Sequence, residues 1–115
     1  MAIPTVNRLT RREDFEEVFK KGKTVSGSFL FLKRLIDGRK TKPRISVVVP
    51  LKTAKMASQR NKARRIVSEV INSLLDKIDS KLTAVIVVTK MPENNINKLL
   101  RDDCLSVIKK SNILK

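Results

Sequence analysis

Apolar and charged residues alternate with helical spacing from Arg12 to Lys21, where Phe15, Val18 and Phe19 line one side and Gly22 follows as a stop signal. The period then changes. Ser28 to Ile36 is rich in Phe and Leu, and Arg44 to Val49 in Val and Ile, as β-strands are. Asp37-Gly38 and Pro43 bracket a basic connection between these runs, which suits a hairpin. Thr24 to Ser26 fits a further short strand beside the first. From about Thr53 to Ile78 the residues Ala63, Ile66, Val67, Val70, Ile71, Leu74 and Ile78 return every three or four positions, predicting a long amphipathic helix. Leu82 to Thr89 is a short Val-rich run of the kind a buried strand shows. Beyond Met91-Pro92, the residues Ile96, Leu99, Leu100, Cys104, Val107 and Ile108 mark a final helix. Residues 1–10 read as a basic N-terminal arm. The order of helix, two or three strands, helix, strand and helix predicts an α+β fold, one sheet with helices packed against it.

With 115 residues, no internal repeat and few Gly or Pro, the chain is expected to form a single domain over 1–115. A domain of this size buries roughly two-thirds of its unfolded surface. Charge changes the picture more. Lys and Arg number 26 against 11 Asp and Glu, a net +15, and the resulting self-repulsion is relieved by a polyanion. The first thirty residues lack a signal-peptide apolar stretch, and the longest apolar run, Ala84 to Val88, is far too short to span a bilayer. A soluble cytoplasmic protein with no membrane role is therefore expected. The absence of His excludes Ser-His-Asp triads and His-based zinc sites, and a lone Cys excludes internal disulfides and CxxC motifs. Cys104 falls on an apolar stripe and reads as core. The carboxylates Glu13, Asp14, Glu16, Glu17, Asp102 and Asp103 read as solvated helix faces, so a protein active site is not expected.

From Gly38 to Ser68 there are ten basic residues, Arg39, Lys40, Lys42, Arg44, Lys52, Lys55, Arg60, Lys62, Arg64 and Arg65, and no Asp or Glu. Solubilising surfaces mix the two signs, so a one-signed block points to nucleic acid. At helical spacing Asn61, Arg64, Arg65 and Ser68 share a face beside the apolar stripe. Arg offers a planar fork of donors matched to phosphate oxygens, Lys a point charge, and Asn both a donor and an acceptor. The four aromatic residues are Phe15, Phe19, Phe29 and Phe31. The i, i+4 pair Phe15 and Phe19 suits helix-to-sheet packing, and Phe29 and Phe31 would alternate onto one strand face. Stacking on unpaired bases remains open for each of them.

The order of these signals resembles the bacterial ribonuclease P protein component over nearly the whole chain. The resemblance runs through Arg8-Leu9, Asp14-Phe15, Val18-Phe19-Lys20-Lys21-Gly22-Lys23, Phe29-Leu30-Phe31, Arg44-Ile45 and Val47-Val48-Val49. It is strongest at Arg60-Asn61-Lys62-Ala63-Arg64-Arg65 with Glu69, which looks like the family's arginine-asparagine-arginine signature. The resemblance implies a two-layer α/β sandwich of order αβββαβα, ribosomal protein S5 domain 2-like, with a left-handed βαβ crossover against the usual right-handed rule. It implies a subunit whose catalytic RNA performs the hydrolysis with Mg2+, held mainly by RNA and substrate, while the protein holds the 5′ leader of precursor tRNA between sheet and first helix. No protein partner is required. By position, Arg60, Asn61, Lys62, Arg64 and Arg65 would face the catalytic RNA, Lys52 and Lys55 would steady its phosphates, and Phe15 and Phe19 would line the leader cleft. Lys62 stands where the family usually has its second Arg, Ser68 replaces another Arg, and Pro50-Leu51 replaces a small residue and a Lys. Two other readings compete: a structural RNA-binding module such as a ribosomal protein, and a stand-alone metal-dependent nuclease.

Overall fold

The computed structural model describes residues 7–9, 12–36, 38 and 42–114. Its elements are α1 (Arg12–Lys21), β1 (Lys23–Ser26), β2 (Leu30–Ile36), β3 (Arg44–Val48), α2 (Ala57–Leu74), β4 (Leu82–Val88) and α3 (Ile96–Lys110). This is the expected αβββαβα order, with a 3-10 turn over Leu75–Lys77 after α2. One four-stranded sheet runs β1-β2-β4-β3.

Strand alternation sends even-numbered residues of β2 and β4 to one face and odd-numbered ones to the other. Leu30, Leu32, Leu82, Ala84, Ile86 and Val88, with Ile45 of β3, pack on Ala63, Ile66, Val67, Val70 and Ile71 of α2 and on Leu100, Cys104, Val107 and Ile108 of α3. These form the two main layers. Across the opposite face lies α1, where Val18 joins Leu9, Val85 and Val87, with half-buried Phe15, Phe31, Leu35 and Val48 around them. All seven residues of β4 are buried as a result.

The expected hairpin between β2 and β3 does not form. Instead β4 lies between them, antiparallel to β2 (Leu32 opposite Ile86) and parallel to β3 (Val47 opposite Ile86). A strand buried on both faces gains most at the centre of a sheet, and a parallel neighbour then requires a crossover, which α2 supplies. Of the connection read as that hairpin, Asp37, Arg39 and Lys40 lie outside the described residues. The hairpin that does form joins β1 and β2, closed by Gly27 N donating to Leu30 O at 2.7 Å.

Part of the segment read as a basic N-terminal arm is docked on the sheet. Asn7 Nδ2 donates to Pro43 O at 3.0 Å and Leu9 N to Ile45 O at 3.1 Å, so residues 7–9 cover the open edge of β3. Residues 1–6 and 10 of that arm lie outside the described residues. Likewise α2 begins at Ala57 and not near Thr53, because Met56 is extended (φ −83°, ψ 129°) and Thr53 is engaged elsewhere: its Oγ1 donates to Val88 O at 2.9 Å. Gly22 ends α1 as expected, its N donating to Val18 O at 2.7 Å.

Asp103 is not a solvated helix residue. Its carboxylate accepts from the backbone N–H of Ser28 (2.8 Å), Phe29 (2.9 Å) and Leu30 (3.2 Å), tying the β1–β2 turn to α3. A Cβ on Gly27 would stand 2.5 and 2.6 Å from the two oxygens of that carboxylate, so a side chain there must displace it. Asp103→Ala is expected to lower the unfolding free energy by about 2 kcal/mol, since three charge-assisted hydrogen bonds to exposed and partly buried backbone are lost. Gly27→Ala, by displacing the same carboxylate, should forfeit part of that energy, so the double variant costs less than the two single losses added. Strictly additive losses in urea melts would show that the carboxylate does not hold the turn.

Next to it, Cys104 is buried, and burial first and the Asp103 charge second push its thiol up to about 12. The native thiol should therefore resist iodoacetamide at pH 8 and react at the ordinary rate only in the unfolded chain. Its linkage has a definite sign. From pH 9 to about 12 the unfolded chain releases a proton that the folded chain keeps, so the thiol's contribution to stability falls as pH rises through that window. Rapid alkylation of folded protein, measured by mass spectrometry, would contradict this packing.

Candidate RNA interface

The core fixes the rotation of α2, and with it the direction of each basic residue. Ala63, Ile66 and Val67 point into the sheet, which leaves Asn61, Arg64 and Arg65 exposed on the opposite side. Arg64 Nη2 donates to Asn61 Oδ1 at 2.6 Å, so the amide holds one guanidinium in place on the helix surface. Among the described residues, no ion pair engages Arg60, Arg64 or Arg65. Of these, Arg64 and Arg65 point outward.

The other expected members of this group separate from it. Arg60 is half-buried, and its Nη1 donates to both Ala54 O and Lys55 O at 2.8 Å. Two of its five donors thus brace the connection before α2, a role helical spacing alone does not reveal because the acceptors belong to irregular backbone. Lys62 lies on the flank toward α3, at the rim of a cavity of about 480 Å³ shared with Glu93, Asn94, Asn95, Ile96, Asn97 and Lys98. Lys52 and Lys55 are exposed on the connection between β3 and α2. Arg39 and Lys40 of the basic block lie outside the described residues, and Ser68 is half-buried on α2.

Phe15 and Phe19 divide between two tasks. Phe15 is half-buried in the cluster under α1, whereas Phe19 is 43% exposed. Lys33 Nζ lies 5.4 Å from the centroid of the Phe19 ring and donates to Phe19 O at 3.2 Å. This cation over an exposed ring, between α1 and β2, sets a basic residue that sequence reasoning missed beside the two phenylalanines expected to line a cleft. A signal existed: Lys33 occupies the odd-numbered face of β2 with Phe31 and Leu35, and a charge in that line is out of place in a simple core. Phe29 and Phe31, by contrast, do not share a face. Phe31 belongs to the α1 side, while Phe29 precedes β2, has its N–H held by Asp103 and packs on the larger core.

No helix among the described residues is long and apolar enough to cross a membrane. No group of three potential ligands among them stands together to hold a metal ion.

Known proteins place the chain in a family. The family model for ribonuclease P matches residues 3–112. The chain is 36% identical over 112 residues to the ribonuclease P protein component of a Pseudanabaena species, with 97% of each chain covered. It is 33% identical over 91 residues to that of Microcystis aeruginosa, with 76% of each covered. The fold is similar to the RNase P protein of Staphylococcus aureus (TM-score 0.85, 17% identity, 95% and 98% of the two chains). It is also similar to that of Thermotoga maritima (TM-score 0.69, 24% identity, 90% and 96%). By the match across 3–112 and by its full-length relatives, the chain belongs to the ribonuclease P protein family.

Proposed function

We propose that this chain is the protein subunit of ribonuclease P that docks on the catalytic RNA through α2 and holds the 5′ leader of precursor tRNA against α1 and the sheet. Family membership supplies the role in tRNA 5′ maturation. The observation that carries the rest is the outward Asn61, Arg64 and Arg65 group, set on a core-anchored helix in a stretch without a single acid from Gly38 to Ser68. Guanidinium forks there suit phosphate oxygens, and the Asn61 bond limits the conformational freedom Arg64 loses on binding. Lys52, Lys55 and Lys62 extend the positive field, while Arg60 contributes both as a brace and through its remaining donors.

In this reading Phe19 and Lys33 meet the leader, the ring against a base and the ammonium beside a phosphate, and Phe15 backs them from the core. The endonucleolytic chemistry belongs to the RNA. Magnesium is held mainly by RNA and substrate in this reading. The subunit acts in the cytoplasm, where precursor tRNA is processed, and needs no protein partner.

Adding the protein to its RNA subunit should speed precursor cleavage and favour precursor over mature tRNA in competition. Binding indifferent to the leader would reduce the protein to a structural RNA-binding module. Arg64→Gln with Arg65→Gln should lower the slope of log affinity against log salt by about 1.4–1.8, the share of two phosphate contacts. In the cleft, Phe19→Ala should erode the preference for precursor with stability changed by less than about 0.5 kcal/mol. Phe15→Ala should instead cost about 1–3 kcal/mol of folding free energy. Equal effects of the two on thermal melts would contradict their assignment to separate tasks.

A further inference from the structure

Leu51 and Met56 are 65% and 61% exposed, the two most exposed large apolar side chains among the described residues, and both lie on the short connection between β3 and α2. Single exposed Leu or Met residues are ordinary on protein surfaces. Here the frame beneath them is rigid. Thr53 N and Ala54 N donate to Pro50 O, Thr53 Oγ1 donates to Val88 O, and Arg60 Nη1 donates to Ala54 O and Lys55 O. Ala54 itself is buried. The connection is therefore built to hold its shape, and what it presents to water is Leu51, Lys52, Lys55 and Met56.

Local rules are set aside at the same place. Met56 is the N-cap residue of α2 and makes no side-chain cap hydrogen bond, and the first turn of the helix holds no acid. A Ser, Thr, Asp or Asn would stabilise that start, so an exposed thioether there gives up helix stability. Departures of this kind collect where a surface serves a partner.

Charge selects the partner. Two lysines stand among the apolar pair, and no Asp or Glu occurs from Gly38 to Ser68. A second copy of the chain, also carrying +15, would bring like charge against like. An RNA strand offers both complements within one nucleotide, a phosphate for an ammonium and an apolar base face for an aliphatic side chain, and Leu and Met serve elsewhere as wedges against base steps.

We infer that Leu51 and Met56 form an apolar seat for an unpaired nucleobase of the catalytic RNA, with Lys52 and Lys55 holding the adjoining phosphates. This rests on the ribonucleoprotein reading above and adds a contact of different physical kind, one that salt does not screen.

The test titrates the catalytic RNA subunit with the parent protein, the L51N/M56Q variant and the K52Q/K55Q variant over a range of potassium chloride concentrations. The lysine variant should reduce the salt slope by about 1.4–1.8. The apolar variant should lose roughly tenfold in affinity at every salt concentration with the slope unchanged. It should also lose the protection of one unpaired base from dimethyl sulfate, and the swap L51M/M56L should restore both. Parent-like affinity and protection in L51N/M56Q would overturn the inference. So would a parent dimer, seen by sedimentation without RNA, that L51N/M56Q abolishes, since the seat would then belong to a second copy. A parent that binds no RNA would sink the ribonucleoprotein reading itself, an outcome distinct from a bound parent and an unaffected variant.

Discussion

A strand that is apolar on both faces must be covered on both faces, and β4 imposes that condition on everything around it. Leu82 to Val88 are buried without exception. At a sheet edge such a run would leave backbone donors unpaired and apolar surface wet. Between β2 and β3 it is paired along its whole length on one side and from Thr83 to Val87 on the other, and helices are required above and below. Leu82, Ala84, Ile86 and Val88 call for α2 and α3, while Val85 and Val87 call for α1. The two helix layers are thus consequences of one strand, and so are the two surfaces they create.

The outward basic side of α2 follows from the same constraint. Since β3 is parallel to β4, the chain must cross over, and α2 is that crossover. Once its apolar stripe is seated, a rotation of about 100° per residue decides the task of each basic side chain. Asn61, Arg64 and Arg65 point outward. Arg60 and Lys62 fall on opposite flanks, one against the preceding connection and the other beside the start of α3. Residues adjacent in sequence and alike in charge therefore do different work, and the difference is set by angle relative to the core.

This explains how far the sequence could be read. Element order was legible because a period of 3.6 and a short unbroken apolar run are both local signals, and Ile66 to Ile71 and Leu82 to Val88 carry them plainly. The pairing of β2 with β4 was not, since Asp37-Gly38 looks like a turn between neighbours and no local signal reports which strand the sheet prefers at its centre. The basic face was legible from charge and helical spacing together. The roles of Arg60, Asp103 and Lys33 were hidden, because each depends on partners that only folding supplies: the carbonyls of Ala54 and Lys55, the N–H groups of residues 28–30, and the Phe19 ring. Asp103 shows the difficulty most sharply, as an acid on a helix surface has the same local signature whether it faces water or grips a turn in a distant hairpin.

The use made of carboxylates completes the electrostatic argument. With 11 acids against 26 bases, acids placed along the β3–α2 connection and the first turns of α2 could cancel the positive field there, but none occurs from Gly38 to Ser68, and the first acid of α2 is Glu69, past the basic group. Asp103 serves the β1–β2 turn, and Glu16 pairs with Arg12 on the exposed surface of α1. What remains over the β3–α2 connection and the start of α2 is a stretch of positive charge without an acid of its own, on a rigid support. Such a surface raises the free energy of the isolated protein through self-repulsion and lowers it again when a polyanion arrives. Part of the stability missing from the free chain therefore resides in the complex, and salt, which screens both the repulsion and the attraction, should act on the folded protein and on its RNA affinity in opposite directions.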